Sequence, residues 1–118
     1  MKAQQKKRPP ALISGAQVTA LRARFRRCQQ ALSALDWLSE GSVTHVPPGS
    51  WRWTRKVRAR TVTVALSATQ AAAFQSAIQN HRQLERLIRE MRALSQTYLL
   101  HALPGPPRPT PQAIPERS

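Results

Sequence analysis

The chain has 118 residues, with nineteen Lys and Arg against five Asp and Glu, for a formal net charge of +14. That length allows one domain at most and a small core. So few acids leave little material for acid–base or metal-dependent chemistry, whereas the positive excess favours a polyanionic partner, with nucleic acid ahead of an acidic membrane surface. One cysteine excludes an intramolecular disulfide, no run approaches the length of a membrane span, and the expected compartment is the cytoplasm.

Residues 1–15 are polar and basic, with Lys2, Lys6, Lys7 and Arg8 preceding Pro9-Pro10. A pair of prolines opposes helix, so this segment reads as a disordered arm. From about Ala16 the apolar residues Val18, Leu21, Phe25, Cys28, Leu32 and Leu35 recur at alternating spacings of three and four. This is the stripe of an amphipathic helix facing a partner helix. Ser14 or Gly15 is the expected cap, Trp37 and Leu38 widen the stripe at its end, and Gly41 suits the stop. Arg22, Arg24, Arg26 and Arg27 fall off the stripe and read as a solvated face, with a second nucleic-acid contact as the alternative. Cys28 reads as a small core residue.

Ser42 to Ser50 contains Pro47-Pro48-Gly49 and reads as a connector. His45 stands alone in it, so no metal is expected there.

Trp51 to Leu66, WRWTRKVRARTVTVAL, reads as a β-hairpin, because its side chains alternate with period two and are rich in β-branched and aromatic types. Trp51, Trp53, Arg55 and Val57 share one face, which pairs with Val62, Val64 and Leu66. Arg52, Thr54, Lys56 and Arg58 share the other, with Thr61, Thr63 and Ala65. Arg58-Ala59-Arg60 lacks the Gly or Asn of a tight turn, which predicts a longer or strained connection.

Ser67-Ala68-Thr69-Gln70 has the form of a capping box and opens a helix to about Leu100. Its seam runs Phe74, Ala77 or Ile78, His81, Leu84, Ile88, Met91, Ser95 and Tyr98, flanked by Leu87 and Leu94. So wide a stripe predicts contact with both the first helix and the hairpin, or with a second chain. His81 reads as a partly buried polar residue, and Glu85 with Arg89 as an i,i+4 pair. Residues 101–118 hold six prolines and read as a disordered or polyproline-II tail.

The run Trp53-Thr54-Arg55-Lys56-Val57, then Arg60-Thr61-Val62-Thr63-Val64-Ala65-Leu66-Ser67, then Asn80-His81-Arg82-Gln83-Leu84 resembles a small family of uncharacterised bacterial proteins, often encoded near mobile elements. The resemblance covers about residues 49–95. It implies a fold and a genomic neighbourhood, with the chain as an accessory of a mobile element, but no reaction. Many members carry a Gly-Lys turn where this chain has Ala59-Arg60, and a cysteine cluster before the hairpin where residues 41–50 have none. No metal role carries over.

The expected fold is therefore α+β over residues 16–100: helix, β-hairpin, long helix, with the two helices antiparallel and a two-stranded ribbon. The expected function is non-catalytic nucleic-acid binding, DNA ahead of RNA, with no cofactor and no metal. Arg52, Lys56, Arg58 and Arg60 would neutralise phosphates, Arg55 would join from the strand edge, and Thr54 and Thr61 would donate hydrogen bonds. A ribbon of this kind can enter the major groove or follow a backbone. The alternative is a protein-interaction or oligomerisation module, with a homodimer formed through the second helix around Met91 to Leu100.

Overall fold

The computed structural model describes residues 12–107; the arm expected before residue 12 and the tail expected beyond 107 lie outside it. The elements are α1 (Gly15–Ser33), β1 (Ser42–Val46), β2 (Ser50–Val57), β3 (Arg60–Leu66) and α2 (Ala68–His101). The class is α+β, as expected. The ribbon, however, has three strands, antiparallel and ordered β1-β2-β3.

The third strand comes from the stretch expected to be a connector. Ser42 to Val46 holds three β-branched residues, and Val43 pairs with Trp53, Thr44 with Arg52 and His45 with Trp51. Pro47-Pro48-Gly49 is only the turn, closed by the Val46–Ser50 pair, with a cis bond between the prolines.

Both helices start on the same device. Ser14 Oγ accepts from the Gln17 N–H (3.1 Å) while Gln17 Oε1 accepts from the Ser14 N–H (2.8 Å). Ser67 and Gln70 repeat this at 3.1 and 3.0 Å. Each pair satisfies two backbone donors that the first helical turn leaves open.

α1 ends at Ser33, short of the expected stop near Glu40. The Ser33 hydroxyl bonds back to the Gln30 carbonyl at 2.8 Å. The Ala34 and Leu35 N–H groups reach only three residues back, to Ala31 and Leu32, so the last turn tightens and releases the chain. Residues beyond it are then held from outside. The Asn80 amide donates to the Trp37 carbonyl (3.0 Å), the Ser39 N–H to the Ala77 carbonyl (3.1 Å), and the Trp53 indole to the Glu40 carbonyl (2.7 Å). Trp37 and Leu38 are exposed instead of extending the stripe. Gly41 does not stop a helix either. Its φ of +92° leads into β1, and a Cβ there would overlap the Thr54 carbonyl oxygen.

The described residues form two compact units, Arg27–Met91 and residues 12–26 with 92–107, and both helices contribute to each. In the first unit, Trp53 lies against Phe74 with ring centroids 4.5 Å apart, and Cys28, Ala71, Ala77, Ile78 and Leu87 are buried. In the second unit, the Ile13 N–H meets the His101 carbonyl at 2.9 Å and Arg22 lies 5.9 Å over the Tyr98 ring, so these segments run antiparallel. An open cleft of about 200 Å³ there is lined by Val18, Leu21, Phe25, Leu94 and Tyr98 among others.

The stripe of α1 is where the spacing put it: Val18, Leu21, Phe25, Cys28 and Leu32 are buried or half-buried. That of α2 is rotated slightly. Leu87 and Leu94 are buried, while Ile88 is 39% exposed. A heptad seam slips around a 3.6-residue helix, so over a helix this long the buried line passes to its flank.

Candidate nucleic-acid interface

The register fixes which candidate side chains share a surface. Trp51 pairs with Leu66, Trp53 with Val64, Arg55 with Val62 and Val57 with Arg60. Paired residues point to the same side of a sheet. One face therefore carries Val43, His45, Trp51, Trp53, Arg55, Val57, Arg60, Val62, Val64 and Leu66. The other carries Ser42, Thr44, Val46, Ser50, Arg52, Thr54, Lys56, Thr61, Thr63 and Ala65.

Four of the seven candidates, Arg52, Thr54, Lys56 and Thr61, stand together on the polar face. Arg52 and Lys56 are exposed and lie four residues apart on β2, about 13 Å along the strand. Between them Thr54 Oγ1 is 3.3 Å from Thr63 Oγ1 across the ladder. No Asp or Glu occurs between Glu40 and Glu85, so nothing on the sheet offsets these charges.

Arg55 and Arg60 are on the opposite face. The Arg55 guanidinium lies 4.1 Å over the Trp53 ring, a cation–π contact that covers part of the indole and leaves Arg55 half-buried. Arg60 pairs with Val57 at the open end of that face. Arg58 belongs to neither face. It occupies the turn with Ala59, at φ of 52° and 66°. The turn is thus a tight two-residue connection carrying strain in two non-glycine residues, not a longer loop.

Ser42 and Thr44 of β1, together with Ser50 and Thr63, complete the polar face and were not among the candidates. The β-branched Val43, Thr44 and Val46 were their one local signal, which the adjacent proline pair masks. Trp51 lies against His45 with ring centroids 4.3 Å apart and Trp53 against Phe74, so both tryptophans of the hairpin are packed. His81 Nδ1 lies 3.8 Å from Glu85, which therefore has its near partner one turn before it. Among the described residues no three of His, Cys, Asp and Glu stand close enough to share a metal ion, and no helix is long and apolar enough to cross a membrane.

Comparison with protein-family models, with curated proteins and with solved structures finds no match for this chain.

Proposed function

We propose that the protein binds nucleic acid without catalysis, laying the polar face of its sheet on a phosphate backbone. The observation that carries this reading is the register, which gathers Arg52, Thr54, Lys56 and Thr61 on one face with no carboxylate beside them. Arg52 and Lys56 neutralise phosphates, Arg58 adds a third contact at the tip, and the threonine hydroxyls donate to phosphate oxygens. Three neutralised phosphates give a log–log salt slope of about −2.7 on B-DNA, against about −4.5 if all five hairpin cations engage. Duplex DNA is the favoured ligand; three strands make the sheet wider than the two-stranded ribbon that a major groove admits, so its polar face follows the phosphate backbone. A role as an accessory of a mobile element is what the resemblance of the hairpin implies.

The test is fluorescence anisotropy with labelled duplex and single-stranded DNA across a salt series. Arg52→Ala/Lys56→Ala/Arg58→Ala is compared with Arg82→Ala/Arg86→Ala/Arg89→Ala, which removes the same charge from α2. Loss of affinity and slope in the first variant alone supports the reading. Equal loss in both, or no binding at low salt, sinks it.

A second reading, a protein-interaction module, is favoured by one observation: Leu12, Leu99, Leu100 and Leu103 are 52%, 58%, 69% and 41% exposed. They would form the contact at the end of α2, and Leu100→Glu would abolish it.

A further inference from the structure

The two edges of the sheet differ. β1 is five residues long and runs straight into Pro47-Pro48. Prolines and short length are means by which edge strands avoid pairing with another chain. β3 has neither. It spans seven residues, RTVTVAL, with no proline, glycine or acid, and its one charge is at its first position. Its inner edge is bonded to β2 throughout; among the described residues no backbone hydrogen bond is made to its outer edge. Val64, in the middle of it, is 40% exposed.

The strand is also complementary to itself. In an antiparallel pair centred on Thr63, Val62 lies opposite Val64 of the second copy, Thr61 opposite Ala65, and Arg60 opposite Leu66. This register uses all seven residues and sets Val62 against Val64 twice on one face and Thr63 against Thr63 on the other, with Thr61–Ala65 and Arg60–Leu66 as mixed pairs outside them. A one-residue slip would set each face against the wrong one. The two Arg60 side chains end up six residues apart, about 20 Å, well beyond the screening length at physiological salt.

We propose that a second copy of the chain adds to the open edge of β3, the two strands pairing antiparallel about Thr63 to make one six-stranded sheet. The contact covers Val64 and places two copies of the Arg52, Thr54 and Lys56 face side by side. It stands without the nucleic-acid reading, since it rests on the edge and not on the charged face. Two chains of +14 repel, so this association strengthens with added salt, the opposite of phosphate binding.

Cysteine cross-linking tests it. Thr63→Cys and Thr44→Cys, both exposed and on opposite edges, are each made with Cys28→Ala and oxidised in high salt. Residues directly opposite in an antiparallel pair have Cα atoms about 4.5–5.5 Å apart, within disulfide range. The expected result is a covalent dimer for Thr63→Cys, formed roughly tenfold faster than for Thr44→Cys. In sedimentation, Thr63→Lys, which opposes two ammonium groups at the centre, weakens the wild-type dimer about tenfold. Equal cross-linking at both positions overturns the proposal, and so does a wild-type chain that stays monomeric as salt rises. A dimer that survives Thr63→Lys and dissociates with Leu100→Glu overturns it too, and gives association to the end of α2. If Thr63→Lys fails to fold, the two cross-linking rates still decide.

Discussion

The Trp53 indole N–H donates to the Glu40 carbonyl at 2.7 Å while the same ring is covered by Phe74 on one side and Arg55 on another. One side chain thereby joins the segment after α1, the central strand and α2. Trp53→Phe keeps most of the packing and removes the donor, so it should lower unfolding free energy by about 1 kcal/mol. Trp53→Ala should cost about 3–5 kcal/mol. Urea denaturation followed by circular dichroism separates the two.

Gly41 is held at positive φ with its α-carbon facing the Thr54 carbonyl. Gly41→Ala combines a clash with a left-handed backbone and should destabilise by about 1–3 kcal/mol. Gly49 has open space around the position of a Cβ. Gly49→Ala should therefore stay close to wild type in the same denaturation experiment.

The β2–β3 turn stores strain at Arg58 and Ala59. Replacing them with Asn-Gly, the pair suited to two successive positive φ angles, should raise stability by about 1 kcal/mol. The midpoint of chemical denaturation should increase with no change in its slope. If Arg58 contacts phosphate, this more stable protein binds DNA more weakly than one carrying Ala59→Gly alone.

The paired capping boxes predict matched effects. Ser14→Ala and Ser67→Ala should each cost about 1 kcal/mol. Hydrogen exchange should show the loss in the first turn of α1 for one variant and of α2 for the other.

The alternation of Trp51 to Leu66 determined the division of its side chains between two faces, because a period of two fixes the side of each residue; a two-residue slip would also keep Trp with Val, so the register came with the two-residue turn at Arg58 and Ala59. The spacing of Val18 to Leu32 likewise determined the buried line of α1, and Ser67 with Gln70 the start of α2. Local sequence suffices for these because each depends on neighbours along the chain. Only the tertiary structure decided where α1 ends, since Asn80, Ala77 and Trp53 supply the hydrogen bonds that hold residues 37–40 out of a helix their own pattern would continue. It alone made Ser42 to Val46 a strand, a conformation that exists through its bonds to β2. It also laid the Arg55 guanidinium over Trp53 and left β3 as an open edge. Those outcomes depend on partners distant in sequence, and no local period records them.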